Sequence, residues 1–152
     1  MQLYGSTFSP FVRRVMITAI ETGLVDRLTF VPTNVRAPQC EIGKINPLGK
    51  IPTLVTGDGM VMIDSAIICE YLDGLSKGVK LFPASGAERW RALYQMAVAD
   101  GATDATMLAY LEGQRPEAQR APEWIARQRD KVTRSLPALA QEVGSFDQTL
   151  TI

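Results

Sequence analysis

The sequence predicts a mixed α/β unit followed by an all-helical one. Three observations lead there. Between residues 1 and 78, short β-type runs alternate with helix-type runs, separated by Gly, Pro and Asp turn signals. Beyond residue 85 no strand pattern recurs, and apolar residues repeat at helical spacing instead. Between the two lies a connector, Gly78 to Ser85, containing Leu81-Phe82-Pro83. The expected units are residues 1–78 and 86–152.

Gln2-Leu3-Tyr4 opens the chain as a short strand. Ser9-Pro10 reads as a helix start, with serine as N-cap and proline at the first helical position, where a missing N–H costs nothing. Val12, Val15, Met16, Ala19 and Ile20 mark one apolar face, and Gly23 ends the helix. Leu28-Thr29-Phe30-Val31 is the next strand, and the polar stretch from Pro32 to Lys44 has room only for a short, irregular helix. Ile51 to Thr56 is a strand headed by a proline, Gly57-Asp58-Gly59 is a hairpin turn, and Met60 to Ile63 is the return strand. A helix from Ser65 to about Leu75 closes the first unit.

In the second unit, Trp90, Leu93, Ala97, Met107, Leu108 and Leu111 predict one long helix. Its middle, Ala99 to Ala105, is polar, and Gly101 there costs about 1 kcal/mol relative to alanine, which implies close packing or a bend. Pro122 opens a further helix whose apolar face carries Ile125, Val132, Leu136, Leu139 and Val143. Pro137 within it implies a kink or a lost hydrogen bond. Two amphipathic helices alone leave apolar surface uncovered.

Composition narrows the function. The 152 residues are 46% hydrophobic, enough for a packed core in one or two small domains. Sixteen basic residues balance sixteen acidic ones, so no general field attracts nucleic acid or an anionic membrane. The sequence starts without a basic and apolar leader and contains no run long enough to span a bilayer, which makes the cytoplasm the expected location. With no histidine, catalytic dyads and triads that use it are excluded and the commonest metal ligand is missing. Cys40 and Cys69 lack metal-type spacing and read as free thiols, Cys69 buried in an apolar helix and Cys40 in a loop; no metal is expected.

The segments that point to chemistry lie around the hairpin. A proline-headed strand beside a helix that begins at Asp64-Ser65 places free backbone groups for an extended peptide next to unpaired N–H donors and a partial positive charge. Such a pocket suits a small anionic peptide. Three segments, Phe8-Ser9-Pro10-Phe11-Val12-Arg13, Asn46-Pro47-Leu48-Gly49-Lys50-Ile51-Pro52 and Asp64-Ser65-Ala66-Ile67-Ile68-Cys69-Glu70-Tyr71-Leu72, carry a joint resemblance in order and spacing to the soluble glutathione S-transferase superfamily, over essentially the whole chain. The resemblance implies a thioredoxin-like N-terminal domain, a helical C-terminal domain, glutathione as cosubstrate and a homodimer. Proteins of this family carry several more helices, including one through the middle of the helical domain. This sequence stops at Thr149-Leu150-Thr151-Ile152, about where that helix would begin, so a truncated or incompletely represented protein is expected.

The resemblance also assigns residues. Ser9 would donate a hydrogen bond to the glutathione thiolate; its alternative role is the helix cap alone. Pro52 would follow a cis bond, turning the Ile51 backbone outward to pair with the ligand's cysteinyl backbone. Ser65 would hold the γ-glutamyl α-carboxylate and Asp64 the α-amino group, both also capping the helix. Lys50 would pair with the glycyl carboxylate, against simple exposure to solvent, and Asp100 would reach the glutathione of the neighbouring subunit, against surface exposure or capping. A serine at the position where thioredoxins and glutaredoxins need cysteine means the ligand must supply the thiol. Three functions compete: thiol activation for attack on an electrophilic small molecule, glutathione-dependent disulfide or peroxide reduction, and a non-catalytic binding or interaction module.

Overall fold

The computed structural model describes residues 1–143, so the expectation attached to residues 149–152 lies outside the described residues. The chain divides between Phe82 and Pro83 into two compact units.

The first unit runs β1 (Gln2–Gly5), α1 (Pro10–Glu21), β2 (Thr29–Pro32), β3 (Thr53–Val55), β4 (Val61–Ile63) and α2 (Ser65–Leu75), with 3-10 turns at Val25–Arg27 and, in the long polar loop, at Ile42–Lys44. The strands form one sheet in the order β2-β1-β3-β4. β1 pairs with β2 in parallel and with β3 antiparallel, and β3 and β4 form the hairpin. This is the thioredoxin-like arrangement that the sequence predicts. β3 is shorter than expected because Pro52, lacking an N–H, cannot join the ladder and stands just ahead of it. At the hairpin turn the Thr56 hydroxyl bonds the Asp58 carboxylate and holds that carboxyl below its usual range.

Leu3 and Leu54 face each other across β1 and β3 and are fully buried, with Val12, Val15, Ile68 and Leu72 from the two helices completing the core. Gly5 lets α1 approach: a Cβ there would lie 2.8 Å from the Val12 side chain and 3.2 Å from the Phe30 ring. The apolar face of α1 differs from expectation at one edge. Ile20 is 57% exposed, whereas Thr18 is buried and donates its hydroxyl to the Cys69 sulfur at 3.2 Å. Eight residues on from Val12 the helix has turned about 80° past it, which carries Ile20 off the buried face. Cys69 is buried as expected.

After α2, the buried Asp73 carboxylate accepts from the Leu81 N–H at 2.5 Å, and Lys80 bonds the Asp73 carbonyl oxygen. These bonds fold the connector back so that Leu81 and Phe82 are buried.

The second unit is α3 (Gly86–Gly113) and α4 (Pro122–Val143), two long helices packed on each other. The Gln95 side chain bonds the Glu142 carbonyl at 3.4 Å, and Arg91 lies 3.7 Å from the Glu142 carboxylate. Pro137 sits inside α4, as its sequence position requires. Ala92 and Ala105 of α3 are buried, while Trp90, Tyr110 and Leu136 are 71%, 55% and 61% exposed. Gly101 is not explained by close packing: a Cβ built there meets nothing within 4 Å. Gly101→Ala should therefore stabilise the protein by up to about 1 kcal/mol, read as a higher denaturant midpoint at unchanged slope; a lower midpoint would contradict the open surroundings.

Candidate functional site

The sheet register brings the expected residues of the first unit to one edge. Thr53 pairs with Tyr4 on one side and with Ile63 on the other, so Pro52, one residue earlier, stands beside the end of β1 and the end of β4. The chain leaving β1 reaches α1 at Pro10, and the chain leaving β4 enters α2 at Ser65. Two helix N-termini and the Ile51–Pro52 bond, which is cis, thus converge at the same edge of the sheet.

Ser9 caps α1: its hydroxyl oxygen accepts from the Val12 N–H at 3.3 Å. A hydroxyl has two acceptor sites and one hydrogen, so the cap leaves that hydrogen for a group above the helix end. The side chain is half-buried, reachable by a ligand. Capping and thiolate stabilisation are compatible roles.

Asp64 caps α2 by accepting from the Ala66 N–H at 2.8 Å, and it holds a positive φ of 71°, uncommon for a residue other than glycine. Its side chain is turned back onto the first turn of the helix while the residue stays exposed. Ser65 is buried, 5% exposed, and its hydroxyl accepts from the Arg14 guanidinium at 2.6 Å. That contact joins α2 to α1 and puts a cation beside a helix N-terminus. Sequence reading missed Arg14, because the partner it meets lies 51 residues away and neither residue predicts the other.

The segment before β3 is held by a residue that was quoted only as part of a motif. Asn46 is 1% exposed and uses both ends of its amide: the NH2 donates to the Lys50 carbonyl and the Thr53 hydroxyl, each at 3.0 Å, and the carbonyl accepts from the Leu48 N–H at 2.9 Å. Thr53 in turn donates to the Lys50 carbonyl at 2.9 Å. The backbone from residue 48 to residue 53 is therefore fixed from within, with Ile51 half-buried at its crest and the Lys50 side chain exposed. A buried asparagine was detectable as an oddity among apolar neighbours, but its three partners were not.

Asp100 lies in the other unit, half-buried on α3. Cys40 is half-buried and lines a cavity of about 460 Å³ with Tyr4, Thr33, Asn34, Glu41 and Ile45. Larger concavities, of about 540 and 530 Å³, lie on the α3–α4 unit and contain none of the expected site residues. Among the described residues no group of His, Cys, Asp and Glu is placed to hold a metal ion, and no helix is long and apolar enough to cross a membrane.

Residues 8–75 match the model of the glutathione S-transferase N-terminal domain. A GST-like protein of Escherichia coli, YibF, is 37% identical over 140 residues, which cover 91% of this chain and 68% of that protein. The omega-1 glutathione S-transferase of Sus scrofa is 30% identical over 89 residues, only 36% of its length. Among solved structures, a glutathione S-transferase from Methylobacillus flagellatus with glutathione bound superposes with a TM-score of 0.89 at 35% identity, covering 95% of this chain and 70% of that one. A glutathione transferase family member from Pseudomonas fluorescens, also with glutathione bound, gives 0.87 at 37% identity, covering 93% and 71%.

Proposed function

We propose that this chain, which belongs to the glutathione S-transferase family, binds glutathione at the sheet edge of its α/β unit and ionises the thiol for attack on an electrophilic small molecule. The observation that carries the reading is the convergence of the Ser9-capped and Asp64-capped helix ends beside the Ile51–Pro52 segment. Two similar family members hold glutathione in their crystals.

In this reading the backbone of Ile51 pairs with the cysteinyl backbone of the ligand, with Pro52 flooring the site. The Ser65 hydroxyl and N–H take the γ-glutamyl α-carboxylate, and Asp64 takes the α-ammonium. Lys50, exposed, contributes at most about 1 kcal/mol toward the glycyl carboxylate. Ser9 donates to the sulfur. A thiol of ordinary pKa about 8.5 needs roughly 2.7 kcal/mol of preference for the anion to fall by two units. One hydrogen bond to the charged sulfur supplies roughly 1.5–3 kcal/mol and the helix end roughly 0.3–1 more, so the two together suffice. The thiolate then forms a sulfur–carbon bond to the electrophile as the leaving group departs with its electron pair. The protein acts in the cytoplasm as a homodimer in which Asp100 contributes to the partner's glutathione site.

The test of binding is Ser65→Ala. It should weaken glutathione binding by roughly tenfold or more, the loss of a hydrogen bond to a charged group, while the glutathione that remains bound keeps its reactivity. A loss confined to turnover, with affinity intact, would contradict the role given to Ser65.

A further inference from the structure

We infer that Arg14 is a positioning residue that makes the site select ligands ending in a free α-carboxylate, by holding the Ser65 hydroxyl as an acceptor and so committing its hydrogen to the ligand. The inference rests on the glutathione reading of the same site. A serine hydroxyl is ambivalent: it donates one hydrogen bond and accepts two, and the rotor turns to suit whatever arrives. Left alone, Ser65 would serve a carboxylate, an amide or an ammonium almost equally. The Arg14 guanidinium has only donors and cannot lose its proton, and at 2.6 Å it occupies the Ser65 oxygen as acceptor. The hydrogen of Ser65 must then point away from Arg14, and a hydroxyl polarised by a cation is a stronger donor.

Burial sharpens the effect, since Ser65 is 5% exposed and water screens the contact little. The guanidinium charge also adds to the partial positive charge of the α2 N-terminus, and a chain with sixteen charges of each sign offers no other general attraction for an anion. The Asp64 carboxylate, the negative group nearest in sequence, is turned onto the Ala66 N–H. One end of the cleft therefore presents a hydroxyl donor backed by a cation, and the adjoining residue presents an acceptor, which is the complement of an amino acid's carboxylate and ammonium.

The experiment measures dissociation constants of glutathione and of γ-aminobutyryl-cysteinylglycine, which keeps the ammonium and lacks only the α-carboxylate, reading the carboxylate preference as their ratio. Arg14→Met, Arg14→Lys, Ser65→Ala and the double variant Arg14→Met/Ser65→Ala are compared with the parent. Arg14→Met should weaken glutathione by roughly ten- to a hundredfold and leave the analogue within about twofold, and Arg14→Lys, which keeps the charge and loses the planar fork, should fall between. In the Ser65→Ala background the further cost of Arg14→Met should shrink to a few-fold, because the residue acts through Ser65. Equal weakening of both ligands by either Arg14 variant, or an undiminished cost in the double variant, would overturn the inference. Failure of the parent to bind glutathione would overturn the reading of the site beneath it, a result distinct from a parent that binds and an Arg14 variant that keeps its preference.

Discussion

Ser9→Ala should raise the pKa of the bound glutathione thiol by roughly one to two units while changing glutathione affinity little. The Ser9 hydroxyl oxygen is already engaged by the Val12 N–H at 3.3 Å, so in the proposed complex its hydrogen is free to go to the sulfur. A hydrogen bond to a charged group is worth roughly 1.5–3 kcal/mol, and each pKa unit is about 1.36 kcal/mol. At neutral pH, turnover with an electrophile should fall about three- to twenty-fivefold, as the thiolate fraction drops from that of a group with pKa about 6.5, and raising the pH should restore most of it as the thiol ionises unaided. The alanine also removes the cap, at a cost of about 1 kcal/mol of stability. Ser9→Asp separates the two roles, because aspartate caps as well as serine yet brings a negative charge toward the sulfur. It should leave the melting temperature nearly unchanged and raise the thiol pKa at least as far as alanine does. A thiol pKa that stays put in both variants would reduce Ser9 to a cap.

Asn46→Ala should destabilise the α/β unit by roughly 3 kcal/mol and, where the protein still folds, weaken glutathione binding. Asn46 makes three hydrogen bonds from a position that is 1% exposed. Truncation leaves a buried methyl where the amide was and strands the Leu48 N–H and one partner of the Thr53 hydroxyl, each costing about 1–3 kcal/mol if water cannot replace it. Thr53 keeps its own bond to the Lys50 carbonyl at 2.9 Å, which limits the loss. Because the same bonds fix residues 48–53, the Ile51 backbone should lose its set position, and affinity should drop together with stability. Denaturant unfolding and calorimetric titration on the one variant check both; a stable variant with normal affinity would show that the network is dispensable.

The two predictions depend on features of unequal legibility. The cap at Ser9 and the order of elements in the first unit could be read directly, since Ser-Pro, the glycines of the hairpin and the alternation of strand and helix are local signals. Strand ends were less legible: β2 runs one residue later than expected and β3 starts after Pro52, because boundaries depend on which backbone groups find a partner in the sheet. Thr18 was overlooked on α1 because a search for apolar residues passes over a hydroxyl that is satisfied by a sulfur on another helix. The same limit hid Arg14 and the partners of Asn46. Their meaning comes from who stands opposite, and sequence spacing carries no information about that.

Gly101 illustrates the converse. Its cost in a helix was a sound local inference, but the reason suggested for it was tertiary, and the open space around it removes close packing as the explanation. The α3–α4 unit fits the expectation of uncovered apolar surface, because among the described residues Trp90, Tyr110 and Leu136 are exposed.

The most direct measurement is a pH titration of glutathione's ultraviolet thiolate absorbance in the presence of saturating protein. The account predicts half-ionisation about two units below that of the free thiol, near pH 6.5, as the sum of the Ser9 hydrogen bond and the α1 helix end. Tight binding with an unshifted midpoint, or no binding at all, would contradict it.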